Sequence, residues 1–456
     1  MTAETFDAII VGTGQAGPAL ANRLTAAGMS VALVERHLIG GTCVNTGCTP
    51  TKTMVASAYA ARLAARAAEY GVVIEGTMRI DMATVKARVD KIVETDRHGL
   101  EQWFAGMPRC TLIRGHARFV GAHELQIGER LIRADKIFLN VGGRALIPKL
   151  NGIENVSYLT NTDMVALAEV PRHLIIVGGS YVGLEFAQMF RRFGAAVTVI
   201  EKGTRLIARE DEDVSALIKT ILEHEGIDIR LGSECIRLAP HAEGVAVSVN
   251  GHEVVGSHVL LAVGRRPNTD DLGLDKAGVT LDAGGYIKVD DHLKTNVDGI
   301  WALGDCNGRG AFTHTSYDDY EIVAANLLDG AHRSLADRIP VYALYIDPPL
   351  GRVGMTVAQA RAAGHKIRIG MRPMTRVARA IEKGEMQGLM RAVVDADTNR
   401  ILGASILGPG ADEAVHTILA TMSAGATYDV LAHTMAIHPT VSELIPTILE
   451  ELGPAQ

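Results

Sequence analysis

Ala8-Ile9-Ile10-Val11-Gly12-Thr13-Gly14-Gln15-Ala16-Gly17 is a short apolar run that breaks into closely spaced glycines, and a second apolar run, Val31-Ala32-Leu33-Val34, ends on Glu35. The pattern predicts a strand, a tight turn, a helix ending near Gly28 and a second parallel strand, which together make a dinucleotide-binding unit. Each position has a physical task. Gly12 makes the turn, Gly14 lets a pyrophosphate approach the backbone, Gly17 lets the helix pack on the strand, and Glu35 accepts from the adenosine ribose hydroxyls. Glycines at this spacing are weak evidence alone; strand, helix and acidic residue at the expected distance make the signal strong.

The same unit occurs twice. One constant offset lays Gly12 on Gly178, Gly14 on Ser180, Gly17 on Gly183, Gly28 on Gly194, Val31 on Val197 and Glu35 on Glu201. The chain therefore reads as two successive nucleotide-binding domains. Ser180 at the second glycine position is small enough for a pyrophosphate still to approach. Glu201 favours NADH, because a carboxylate there bonds the 2′-hydroxyl and repels the 2′-phosphate of NADPH. Lys202, Arg205 and Arg209 follow closely and can offset that repulsion, so NADPH stays an alternative.

Just behind the first unit stands Gly40-Gly41-Thr42-Cys43-Val44-Asn45-Thr46-Gly47-Cys48-Thr49-Pro50-Thr51-Lys52. Pro50 suits the first turn of a helix, which the Ala-rich composition carries on to about Tyr70. Cys48 then lies at a helix N-terminus, where the partial positive charge favours a thiolate. Asn45-Thr46-Gly47 can turn, bringing the two Cα atoms within the roughly 4.4–6.8 Å a disulfide needs. A pair of reduced core cysteines or half of a zinc site is the plain alternative, but no second Cys/His pair with zinc spacing follows. Cys110, Cys235 and Cys306 are isolated and read as small buried hydrophobes. Two dinucleotides and a redox-active cysteine pair describe an electron relay, from nicotinamide to flavin to disulfide.

Composition agrees. The 456 residues suit about three domains, and 47% hydrophobic content with 48 glycines suits an α/β core with many tight turns. A net charge of −7 argues against nucleic acid or an anionic membrane as partner. No apolar run approaches the roughly 18 residues of a spanning helix, and a core strand begins almost at once in place of a signal peptide. These features point to the cytoplasm, where a cysteine pair is more often catalytic than structural.

With these segments the chain resembles, over essentially its whole length, the class I pyridine nucleotide–disulfide oxidoreductases: dihydrolipoyl dehydrogenase, glutathione reductase, mercuric reductase and relatives. Gly115-His116-Ala117-Arg118-Phe119 resembles the family's strand beside the flavin adenine. Ala262-Val263-Gly264-Arg265-Arg266-Pro267-Asn268 resembles its AxGRxPN turn, and Thr295 to Asp305 its second flavin motif. Ile437-His438-Pro439-Thr440-Val441-Ser442-Glu443 reproduces its HPTxxE run.

The resemblance implies the roles. Cys48 is the thiolate nearer the flavin and Cys43 the interchange thiol that attacks substrate. His438 is the base and Glu443 orients it, both reaching the site from the second subunit of a homodimer. Lys52 and Glu185 form a salt bridge at the flavin's reactive nitrogen, Tyr181 is a lid over the flavin, and Asp305 binds the ribitol. Gly41, Thr42, Lys52 and Ala117 join the FAD residues, and Gly264 joins Gly178, Ser180, Gly183 and Glu201 at the nicotinamide nucleotide. The helix opened by Phe312 to Ser316 points at the flavin pyrimidine edge, and His314 is a local contact.

The fold implied is α/β. Residues 1–145 and 270–335 form an FAD-binding domain, 146–269 an NAD(P)-binding domain and 340–456 an α+β dimerisation domain. No metal site is expected. The last cysteine is Cys306 and the chain ends Glu451-Leu452-Gly453-Pro454-Ala455-Gln456, without the C-terminal cysteine pair of mercuric reductases. The Thr49 to Lys52 ending and the Phe312 to Tyr320 segment nevertheless look most like the mercuric-reductase-like branch, which includes the reactive-chlorine-resistance flavoproteins. The substrate expected is a small disulfide, a thiophilic oxidant or a metal ion. The alternatives are a dihydrolipoyl dehydrogenase acting on a lipoyl carrier protein and, from another class, a flavin-binding protein without turnover. Intact Cys43, Cys48, His438 and Glu443 oppose the last.

Overall fold

Each predicted strand–glycine–helix unit seeds a parallel sheet. The computed structural model describes residues 3–455. In the first sheet the strands run in the order Ile300–Ala302, Lys136–Leu139, Ala8–Val11, Val31–Glu35 and Cys110–Arg114, all parallel. Ala8, Ile9 and Ile10 are fully buried, as expected of strands covered on both faces. Ile300–Ala302 reaches this sheet only after the whole second unit has intervened. The second sheet runs Asp228–Arg230, Ala196–Ile200, His173–Val177, His258–Leu261, again all parallel.

The change in character after Pro340 is a change of sheet. Val341–Leu344, Leu350–Gly354, Ile401–Leu407, Leu389–Asp395 and Ile367–Pro373 form an antiparallel sheet in that order. The helix Ala411–Ser423 packs on it through Ala411, Ala414, Val415 and Ile418.

Two helices join the units and position the site. Cys48–Ala65 packs against Tyr181–Phe193. The second of these buries Leu184, Phe186, Phe190 and Phe193 in one core, each worth about 1.5–3 kcal/mol. Phe190→Ala would remove the centre of that core at a cost of about 3–5 kcal/mol. Glu185 lies buried on the same helix, so its charge requires a partner.

Local structure departs from the sequence reading in two places. The helix ends at Ala65 and gives way to a 3₁₀ turn, Ala67–Tyr70, which Gly71 closes in a left-handed conformation (φ 74°). Cys43 sits inside a short helical turn, Gly41–Asn45, entered through Gly40 and Gly41 at φ 97° and 60°.

Candidate active site

The duplication extends to individual hydrogen bonds. Glu35 accepts from Thr13 N (3.0 Å), Thr13 Oγ1 (2.6 Å) and His37 N (2.8 Å). Glu201 accepts from Gly179 N (2.6 Å) and Gly203 N (2.7 Å), the same backbone positions in the second unit. A carboxylate has about four lone-pair sites, so both keep capacity for a further donor.

Gly17 and Gly183 also match: an added Cβ would stand 2.4 Å from Gly12 O and 2.1 Å from Gly178 O, so neither tolerates a side chain. The middle position differs, and the reason lies far along the chain. A Cβ on Gly14 would meet Asn140 Oδ1 at 2.8 Å. In the second unit Ala262 occupies the place of Asn140 beside the turn glycine and has no amide, so Ser180 meets no such obstacle. Asn140 Oδ1 accepts from Gly17 N (3.1 Å), while Nδ2 donates to Leu303 O (3.0 Å) and Ser316 Oγ (3.4 Å).

From this turn a cleft of about 1090 Å³ runs past Glu35, Gly41 and Ala117 to Cys43, Cys48 and Lys52. Both cysteines are free thiols, and Cys48 is exposed to the cleft as the first residue of its helix. Hydrogen bonding from Cys43, with Thr313 and the Lys52 charge in support, overcomes burial and holds the Cys48 thiol down at about 6. Cys43 is pushed far up by its bond to Cys48 and by burial. Thr313, whose Oγ1 lies 3.1 Å from Cys48 Sγ, is a site residue the sequence reading did not single out. The pair is thus asymmetric, a thiolate beside a protonated thiol.

Lys52 Nζ meets Glu185 Oε2 at 2.8 Å, and Glu185 Oε1 accepts from Tyr345 N at 3.0 Å. The same ammonium lies 4.7 Å from the Tyr345 ring centroid. The buried Glu185 carboxylate is thereby paired, and three distant segments meet at the cleft wall. Tyr181 begins its helix there, edge-on to Phe312 (6.0 Å) and Tyr342 (5.6 Å). Phe312 stacks on His314, whose Nε2 contacts Val341 O at 2.6 Å. Burial pushes the Asp305 carboxyl up, against the nearby Arg265 guanidinium at 3.4 Å. Gly264 takes φ +128° with open space around it.

His438 Nδ1 lies 2.9 Å from Glu443 Oε2, with 75% of the His438 side chain exposed. The two make a pair, but neither lines the cleft that holds the cysteines.

The model for "Pyridine nucleotide-disulphide oxidoreductase" matches residues 6–319, and that for its dimerisation domain residues 341–448. The chain belongs to this family. This oxidoreductase is 37% identical over 446 residues to the probable pyridine nucleotide-disulfide oxidoreductase RclA of Escherichia coli, covering 96% of this chain and 97% of the relative. It is 31% identical to the dihydrolipoyl dehydrogenase of Thermus scotoductus, over 98% of each chain. The mercuric reductase of Streptomyces lividans is also 31% identical, over 96% of this chain and 94% of that one. A solved structure, the Cu(II) complex of HOCl-induced flavoprotein disulfide reductase RclA from E. coli, superposes with a TM-score of 0.90 at 35% identity, over 99% and 100% of the two chains. The oxidoreductase is an FAD-dependent enzyme that uses a pyridine nucleotide to reduce a disulfide, and its dimerisation domain supports a homodimer.

In the oxidoreductase Cys306 is buried and bonded to Leu139 O and Leu303 O, whereas Cys110 is half-buried. Cys235 is no small buried hydrophobe: it is exposed, at φ 55°, in the loop before Arg237–His241. Among the described residues no helix is long and apolar enough to cross a membrane.

Proposed function

We propose that Cys43 and Cys48 are the redox pair of this oxidoreductase, and that it passes electrons from NADH to a small disulfide or to a thiophilic oxidant or metal ion. The observation that carries the reading is geometric: both thiols line one cleft with Lys52, and Thr313 Oγ1 lies 3.1 Å from Cys48 Sγ at the start of its helix. FAD fits that cleft: Gly14 and Gly41 approach so closely that a Cβ on Gly41 would lie 3.0 Å from Gly14 Cα, which keeps a side chain out of the cradle. Gly12, Gly14, Gly17, Glu35, Gly41, Thr42, Lys52, Ala117 and Asp305 would hold it, within a unit built from 1–145 and 270–335. Gly178, Ser180, Gly183, Glu201 and Gly264 would hold the nicotinamide nucleotide on 146–269, and 340–456 would form the dimer interface. FAD held there would supply two-electron exchange between the nicotinamide and the cysteine pair.

The chain's own residues do the rest. In the reduced enzyme Cys43 attacks one sulfur of the substrate disulfide and expels the other as a thiolate. His438 of the partner subunit, held by Glu443 of the partner subunit, takes the Cys43 proton and gives it to the departing sulfur. Cys48 then attacks Cys43, closing the Cys43–Cys48 disulfide and releasing the second substrate thiol. Lys52, paired with Glu185, would place a cation beside the flavin, and Tyr181 would cover the nicotinamide side.

NADH is favoured because Glu201 keeps acceptor capacity for a 2′-hydroxyl, while Arg205 is turned to Ala208 O at 2.9 Å. The cytoplasm suits a cysteine pair that works as a reagent. A Cu(II) complex of the E. coli RclA supports the metal-ion arm, and the similarity to dihydrolipoyl dehydrogenases favours a lipoyl carrier as second reading. Anaerobic titration with NADH and then NADPH, followed by lipoamide, oxidised glutathione, Hg(II) and Cu(II), tests this. A long-wavelength thiolate-to-flavin band after two electrons is expected; bleaching of the flavin without that band refutes the cysteine relay.

A further inference from the structure

Behind the Tyr181 ring lies a buried polar cluster that the electron relay does not use. Tyr342 donates its hydroxyl to Glu210 Oε1 at 2.6 Å, and Glu210 is 2% exposed. Burial pushes both the Glu210 carboxyl and the Tyr342 phenol up, so the phenol remains a donor. Arg352, 1% exposed, donates through Nη1 to Ser405 Oγ, and its charge opposes the burial penalty on Glu210. The Tyr342 ring is edge-on to Tyr181 at 90° and stacks on Phe312 at 5.6 Å and 12°. The Tyr181 hydroxyl is buried and makes no well-formed hydrogen bond among the described residues, although the Tyr342 hydroxyl acts on it; Glu210 Oε2 and Arg352 Nη2 have no partner among those residues.

Opposed forces therefore act on Tyr181. Its edge contacts with Tyr342 and Phe312 hold the ring in. Its hydroxyl, buried without a well-formed hydrogen bond, favours swinging out, where water satisfies it. Only interactions that differ between the two positions can shift the balance. The contact with Tyr342 exists in the closed position alone, and it is strong only while the Tyr342 ring keeps its perpendicular setting.

We propose that Tyr342 and Glu210 are positioning residues: their hydrogen bond fixes the Tyr342 ring as the wall against which Tyr181 closes, and so sets how readily a nicotinamide ring displaces Tyr181. The inference rests on the reading of Tyr181 as the cover of the nicotinamide side. Two single-atom deletions should act with opposite sign. Tyr342→Phe keeps the ring and loses its anchor, which weakens the closed position. Tyr181→Phe keeps the edge contacts and removes the buried hydroxyl, which strengthens it.

The experiment uses the flavin-loaded dimer, measuring the Kd of NAD⁺ by calorimetry and the KM and kcat for NADH in turnover. Tyr342→Phe should lower Kd and KM about fivefold, the net worth of one hydrogen bond, with the change falling on KM and not on kcat. Tyr181→Phe should raise both by a similar factor. Glu210→Gln, which keeps an acceptor for Tyr342, should restore the wild-type Kd that Glu210→Ala loses. If Tyr342→Phe leaves Kd unchanged while Tyr181→Ala shifts it, the cover stands and the anchor is refuted. If Tyr181→Ala also leaves Kd unchanged, the cover reading itself fails and the proposal with it.

Discussion

Cys43→Ala should raise the acidity midpoint of a different residue, Cys48. The fall of the Cys48 thiol from 9.0 to about 6 corresponds to about 4 kcal/mol in favour of the thiolate, at 1.36 kcal/mol per pH unit. Cys48 is exposed to the cleft, and solvent screening there leaves about 2 kcal/mol of that. The hydrogen bond from Cys43 is the largest contribution, ahead of Thr313 and Lys52. Deleting one hydrogen bond should remove about 1 kcal/mol, which moves the midpoint up by roughly a pH unit. The direction follows from the depressed value: the thiolate is present above the midpoint and lost as pH falls through it. Iodoacetamide alkylation of the reduced protein from pH 5 to 9, read at the Cys48 peptide by mass spectrometry, measures this. Cys110 and Cys306 do not interfere, because burial pushes them up to about 11 and about 12; exposed Cys235 is resolved by its own peptide. A Cys43→Ala protein whose Cys48 still titrates near 6 would refute the claim that Cys43 holds the thiolate.

His438→Gln should slow disulfide reduction about 10²–10⁴-fold while leaving NADH reduction of the flavin intact; stopped-flow measurement of the two half-reactions separates them. Glu185→Gln removes the partner charge of Lys52 in a buried setting, and should both lower the thermal midpoint and raise Cys48 acidity, since the Glu185 charge opposes the thiolate. Asp395 is held down at about 2 by Thr398 N–H, His365 and neighbouring donors. Its folded value lies below the ordinary 3.8, so its stabilisation is complete above 3.8 and lost as pH falls through about 2. Asp395→Asn should therefore lower Tm at pH 7, with the difference from wild type vanishing near pH 2 in acid-unfolding scans.

The parts of this site that a sequence shows are those with local signatures. The Gly12 and Gly178 turns, the helix start at Cys48 and the pairing of His438 with Glu443 each depend on residues within a few positions or on a repeated pattern. The Lys52–Glu185 bond was legible only through family resemblance, since nothing local ties two residues on different helices. Asn140 and Tyr342 left no signal, and Thr313 lay in a marked stretch without being singled out, because each acts through a contact with a residue more than a hundred positions away. Cys235 was misread for the opposite reason: its small apolar side chain suggests burial, but its left-handed backbone places it in a surface loop.

Asn140 has a consequence for how the protein is made. Its amide nitrogen donates to Leu303 O and Ser316 Oγ while its oxygen accepts from Gly17 N. A nascent chain that has emerged only to residue 270 already contains the first glycine turn, both cysteines and the whole second parallel sheet, yet lacks the strand Ile300–Ala302 and the residues that set this amide. The second unit can thus fold during synthesis while the first waits, open, for its last strand. Chains truncated before that strand are therefore expected to emerge colourless.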